Sequence, residues 1–256
     1  MANNAALQGK FIPPPQCQNR EEYQNVPEQS LERWGTNKDR DNLTERFQAL
    51  GFEVHCHNNK KKADVLKEIR KAATANHADA DSFVCIFLSH GDEGEIEACD
   101  AKIKILKIKN ITDFFRGDEC KSLVGKPKIF IFQACAGNKY EDAVTGMMAG
   151  YSDDEVVEEA ANIYTIPAGA DFLMCYSVAP GFVSFRNEIH GGLYIQDLCT
   201  TLQQHGSTIE FTELLTLVNL KVSQHTANGD GFKNEKQMPC FTSLLTKRLY
   251  FRPKNL

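Results

Sequence analysis

Several features are missing from this chain of 256 residues, and each absence excludes a class of function. No window approaches the roughly 18 consecutive apolar residues of a membrane-spanning helix, and the amino end carries no apolar segment of signal-peptide length. A soluble, cytoplasmic protein without a membrane partner is expected. Positive charge is in deficit, with 29 Lys and Arg against 34 Asp and Glu and a net charge of −5, so nothing draws the chain to nucleic acid. The Lys60-Lys61-Lys62 run reads as the solvated start of a helix. There are nine cysteines, but they are scattered and no CxxC spacing occurs, which signals neither a disulfide framework nor a zinc cage and fits a reducing compartment. In His55-Cys56-His57 neighbouring side chains on a strand point to opposite faces, so no metal is expected there. No Gly-rich phosphate loop stands at a strand-to-helix turn, and no cofactor is expected. No internal repeat is evident.

What is present is a hydrophobic fraction of 42%, enough for a substantial core in one domain. Residues 1–30 hold Asn, Gln and Pro13-Pro14-Pro15, which cannot donate to a central ladder, and read as a tail, short prodomain or surface-hugging segment. Asn37 is placed to cap a helix through Leu43, Phe47 and Leu50 that stops at Gly51. Phe52 to Cys56 alternates as a half-buried strand does, and a helix follows Asp64 through Val65, Ile69 and Ala72. Phe83 to Leu88 is short, apolar and rich in β formers, as expected of a strand buried on both faces. Strand, helix, strand signals a parallel sheet. Beyond it the sequence predicts a small hairpin around residues 95–98 and 102–106, a helix near residues 108–115, and a core strand from Lys128 to Gln133. Residues 137–165 are rich in Gly, Ser, Asp and Glu and read as a linker. A strand from Asp171 to Val178, helices near residues 193–202 and 211–222, a loop at Asn228–Gly231 and a closing strand from Cys240 to Phe251 complete the α/β pattern.

The chain's chemistry gathers at two strand ends. Lys128 to Gln133 runs into Ala134-Cys135-Ala136-Gly137, and Phe83 to Leu88 runs into Ser89-His90-Gly91. In open α/β sheets sites lie at the carboxyl ends of strands. Cysteine attacks a carbonyl as thiolate, and an imidazole can accept its proton and later protonate the leaving amine. Cys135 as nucleophile and His90 as general acid and base suit those roles. The Gly91 and Cys135 backbone N–H groups, on turns, suit an oxyanion hole. Read one at a time, a strand-end cysteine is more often a small core residue and a lone histidine a loop residue. The pairing of Gln-Ala-Cys-x-Gly with Ser-His-Gly upstream reverses that balance.

Seven strings in order carry a resemblance: Arg33-Trp-Gly-Thr, Leu88-Ser-His-Gly91, Gly125-Lys-Pro-Lys128, Gln133-Ala-Cys135, Ala170-Asp-Phe172, Ser184-Phe-Arg-Asn187 and Leu249-Tyr-Phe251. On these the sequence resembles the caspases from about Arg33 to Phe251. The resemblance implies a three-layer α/β sandwich with a mostly parallel central sheet flanked by helices. It also implies a short-prodomain, executioner-type endopeptidase that cuts protein substrates after aspartate in apoptosis. On this pattern residues 31–136 form a large-subunit-like part and residues 166–256 a small-subunit-like part, separated by the linker. Arg33, Gln133 and Arg186 correspond to the groups that hold the substrate carboxylate, and planar guanidiniums suit that task. Val183 and Phe185 stand where an aromatic pair lines the next subsite, and Asn187 lies beside them. Maturation by cleavage in the linker is implied, with Asp142, Asp153 and Asp154 as the processing positions and Asp142, followed by Ala143, the best suited. A homodimer, or a heterodimer with another caspase, and inhibitor-of-apoptosis proteins are the implied partners.

The sequence departs from the family at Ala136, where arginine or glutamine is usual, and at Leu193, where tryptophan is frequent. Its largest departure is at the amino end. Phe11-Ile12-Pro13 stands where the family has an apolar first strand, and a missing central strand exposes two neighbouring edges. These departures motivate the alternative of a catalytically weak or inactive decoy that binds and regulates an active caspase.

Overall fold

The computed structural model describes residues 11–12, 35–100, 105–141, 166–187, 189–229 and 232–252. In chain order these form β1 (Phe11–Ile12), α1 (Thr36–Ala49), α2 (Lys62–Thr74), β2 (Phe83–Leu88), β3 (Gly91–Asp92), β4 (Glu95–Glu97), β5 (Ile105–Lys107) and α3 (Ile108–Thr112). They continue with β6 (Lys128–Gln133), β7 (Gly137–Lys139), β8 (Phe172–Tyr176), β9 (Gly181–Phe182), β10 (Arg186–Asn187), β11 (Gly191–Gly192), α4 (Leu193–His205), α5 (Phe211–Gln224), β12 (Ala227–Gly229), β13 (Phe232–Glu235) and β14 (Cys240–Ser243).

The central sheet has the order β14-β8-β6-β2. β2, β6 and β8 are mutually parallel, and β14 runs antiparallel on β8. Every residue of β6 is buried, as its unbroken apolar run Ile129 to Phe132 demands between two helical layers. Alternation sends Ile129 and Ile131 to the layer of α1, α4 and α5, where they meet Leu43, Ile195, Leu198 and Val218. Phe130 and Phe132 go to the other layer, with Ile69, Ile111 and Phe115 around α2 and α3. Side chains of this kind contribute about 1.5–3 kcal/mol each when fully buried, and two such faces make the three-layer α/β sandwich. Lys128 begins β6 inside this core, its Nζ donating to the carbonyls of Leu123 at 3.2 Å and Lys126 at 3.0 Å. Burial lowers its pKa from the ordinary lysine value.

Four elements differ from their sequence expectation. Phe52 to Cys56 is extended but joins no strand. Its alternation is nonetheless real, because Phe52 and Val54 pack on the core while Glu53 and His55 are exposed, and Phe52 is held edge-on by Phe47 and Phe251. What is missing among the described residues is a ladder partner. Asn37 lies inside α1, and Gly35, in the left-handed region at φ 83°, stands at the helix start instead. Asn228 and Gly229, expected in a loop, belong to β12, which pairs antiparallel with β13, while Asp230 and Gly231 lie outside the described residues. The closing strand is limited to Cys240–Ser243, after which Leu245, Leu249 and Phe251 still pack on the core.

Candidate active site

β2 and β6 run in register from Phe83 beside Lys128 to Leu88 beside Gln133, so both end at the same edge of the sheet. The Ser89 N–H donates to the Gln133 carbonyl at 3.2 Å, carrying the pairing one residue further. The two exits then touch. A Cβ on Gly91 would lie 3.1 Å from Ala134 Cβ and 3.4 Å from the Cys135 carbonyl oxygen, and it would collide with the Glu95 carbonyl, so this position has room for glycine alone. The His90 carbonyl accepts the Glu97 N–H at 2.9 Å. That bond makes Gly91 and Ile96 a non-hydrogen-bonded pair, which keeps the Gly91 N–H out of the β3–β4 ladder. His90 and Cys135 are both half-buried.

Cys135 is framed by the second half of the chain. Ala136 N–H donates to the Phe182 carbonyl at 3.1 Å and its carbonyl accepts the Gly181 N–H at 2.5 Å. Gly137 packs against the Gly181 backbone so closely that a side chain there would collide. Cys135 and Tyr140 pack against the buried cluster Val183, Phe185, Leu193 and Ala227. The Tyr140 ring stacks on Phe185 with centroids 6.1 Å apart. Burial raises the Tyr140 pKa, and the neighbouring Cys135 and Glu235 add to the rise.

The residues expected to bind a carboxylate converge from three elements. Gln133 is buried and its Nε2 donates to Ser184 Oγ at 2.9 Å. Arg186, half-buried on β10, pairs with Gly192 of β11, and a Cβ on Gly192 would sit 2.7 Å from the Gln133 amide carbon. A side chain at position 192 would therefore push the Gln133 amide from this place. Asp39 of α1 is fully buried and both carboxylate oxygens accept the Gly192 N–H at 3.0 Å, fixing β11 from across the chain. β10 also pairs on its other side with β1, Ile12 opposite Arg186. Asn187 is buried, and its Oδ1 accepts the N–H groups of Ile189 and His190, so its side chain shapes its own turn. Arg33, Asp142, Asp153 and Asp154 lie outside the described residues.

Two polar residues that sequence reasoning passed over, Ser177 and Gln237, hold the two halves in register. Ser177 Oγ donates to the Ala134 carbonyl at 3.0 Å, immediately before Cys135. Gln237 Nε2 donates to the Ser177 carbonyl at 2.6 Å, and Gln237 Oε1 accepts the Phe185 N–H at 2.7 Å. Ser177, Ser184 and Gln237 are all buried. Among the described residues no cluster of His, Cys, Asp and Glu is arranged to hold a metal ion, and no helix is long and apolar enough to cross a membrane.

The mostly parallel sandwich, with a histidine loop and a cysteine loop abutting at one sheet edge, is that of a caspase-like α/β protein. Residues 19–250 match the Caspase domain family. Over 231 residues the chain is 52% identical to Caspase-6 of Mus musculus, covering 87% of this chain and 83% of that protein. It is 41% identical to Caspase-7 of Gallus gallus, covering 85% and 70%, and 40% identical to Caspase-3 of Mesocricetus auratus, covering 86% and 76%. The chain belongs to the caspase family, and is an aspartate-specific cysteine endopeptidase of the apoptotic class.

Proposed function

We propose that Cys135 is the nucleophile and His90 the general acid and base of this endopeptidase. The observation that carries this reading is the packing of Gly91 on Ala134 and Cys135, which brings the exits of β2 and β6 into contact. In the first step the Cys135 thiol gives its proton to the His90 imidazole, and the thiolate attacks the main-chain carbonyl of the substrate aspartate. The oxyanion is stabilised by the Cys135 and Gly91 N–H groups. His90 returns the proton to the leaving amine, the C–N bond breaks, and a thioester remains on Cys135. Water, deprotonated by His90, then hydrolyses the thioester and frees the new carboxyl end. Gln133 and Arg186, meeting at Gly192, hold the aspartate carboxylate together with Arg33, and a guanidinium supplies two parallel donors to it. Val183 and Phe185 shape the apolar neighbourhood of the next substrate residue, and Asn187 sets the turn beyond Arg186.

The same reading divides the chain at residues 137–165, cut after Asp142, Asp153 or Asp154, with a large part before it and a small part after. β14 ends the central sheet with one edge unpaired among the described residues, which supports pairing of two small parts into a dimer, with itself or with another caspase. The protein acts in the cytoplasm, where inhibitor-of-apoptosis proteins are suitable partners for the active site. The test is a peptide panel differing at the cleaved position. Cleavage after aspartate, with none after asparagine or glutamate, supports the carboxylate assignment; equal cleavage of the asparagine peptide contradicts it.

A further inference from the structure

Among the described strands, β2 has the sequence of an inner strand and the position of an outer one. Its six residues, Phe83 to Leu88, are only half-buried, whereas the paired β6 is buried throughout. The Phe83 N–H donates to the Pro127 carbonyl and the Ser89 N–H to the Gln133 carbonyl, so odd-numbered positions of β2 bond to β6. In a parallel ladder the intervening residues point their N–H and C=O groups the other way. Val84, Ile86 and Leu88 therefore direct three donors and three acceptors at a groove of about 1910 Å³. The far wall of that groove is the extended segment from Phe52 to His57. From Glu53 to His57 it makes no backbone–backbone hydrogen bond among the described residues.

Two extended backbones thus line the sides, and apolar side chains line the floor and the roof. Leu43, Phe47 and Val54 lie on one layer, Val65, Ile69 and Phe115 on the other. We propose that this groove is an acceptor for one extended β-strand, apolar on both faces and matching the six residues of β2 in length, supplied by another polypeptide. A strand satisfies the ladder groups of β2 and buries its side chains in both layers, which an amphipathic helix cannot do. The chain's own undescribed residues do not offer such a strand. None of their apolar runs exceeds three residues, and Pro13, Pro14 and Pro15 cannot donate to a ladder. Because β2 leads directly into Ser89 and His90, an occupant braces the strand that carries His90.

Hydrogen exchange on the full chain tests this without reference to catalysis. In the protein alone the amides of Val84, Ile86 and Leu88 exchange faster than those of Cys85 and Phe87. A peptide Lys-Val-Ile-Val-Ile-Val-Lys slows those three by about tenfold or more and raises the melting temperature in proportion to its concentration. The same peptide N-methylated at alternate residues, which cannot complete the ladder, does neither. The proposal is overturned if the three amides are already protected in dilute protein, if protection appears with rising protein concentration in the absence of peptide, if saturating peptide protects none of them, or if the N-methylated peptide protects equally.

Discussion

The Phe185 N–H donates to Gln237 Oε1 at 2.7 Å inside the protein, and the other end of the same amide holds the Ser177 carbonyl. Ser177 in turn bonds the Ala134 carbonyl, so one buried side chain connects the strand that carries Arg186 to the turn that carries Cys135. Gln237→Ala leaves two buried backbone groups unsatisfied, each worth about 1–3 kcal/mol. The variant is expected to melt at a lower temperature and to show a raised KM on aspartate peptides. Thermal unfolding and steady-state kinetics check both effects, and an unchanged KM in the folded variant contradicts a positioning role.

Arg186→Lys keeps the charge but loses the planar pair of donors. Hydrogen bonds to charged groups contribute about 1.5–3 kcal/mol, so kcat/KM on an aspartate peptide should fall by about 10- to 100-fold or more. The variant's melting temperature should stay near that of the parent, because Arg186 is half-buried and its strand is held by backbone pairing on both sides.

Gly192→Ala forces a methyl group against the Gln133 amide, 2.7 Å from its carbon, where the neighbour is buried and already bonded to Ser184. Overpacking of this kind costs about 1–3 kcal/mol. Gly169→Ala, whose new carbon would meet only Arg116 Nη1 at 3.7 Å, serves as the control and should be nearly neutral. Equilibrium denaturation of the two variants side by side decides the point.

Burial pushes the Cys199 thiol up to about 12, with the nearby Asp39 carboxylate adding to the rise, and burial raises Cys175 further still. A raised folded-state pKa gives stability that is complete below the unfolded pKa of 9.0 and is lost as pH climbs from there toward the folded value. The unfolding free energy should therefore fall between pH 9 and about 12, and Cys199→Ala should flatten that fall while lowering stability at neutral pH. In the native protein at neutral pH, Cys175 and Cys199 should resist alkylation while the exposed Cys56 and Cys99 react, as mass mapping would show.

The parts of the fold written in continuous apolar runs are legible in the sequence. β6 and β2 announce themselves as short apolar runs rich in β formers whose ends point to Cys135 and His90. Only β6 is buried on both faces as that composition predicts, and β2 is half-buried. Phe52 to Cys56 was equally clear as an alternating segment, yet it pairs with no strand among the described residues, because alternation reports which side chains face the core and says nothing of whether a ladder partner exists. Ser177 and Gln237 were not legible for a related reason. Their role depends on backbone groups of Ala134 and Phe185 that are remote in sequence, and no local pattern records such a meeting.

The central claim is that the thiol at the end of β6 performs the chemistry, and an aspartyl aldehyde or ketone probe tests it most directly. Linker-cleaved protein should take up one equivalent of probe on Cys135, and Cys135→Ala, with its other cysteines intact, should take up none. A folded, linker-cleaved sample that stays unlabelled at Cys135, or carries the probe on another cysteine, contradicts the account.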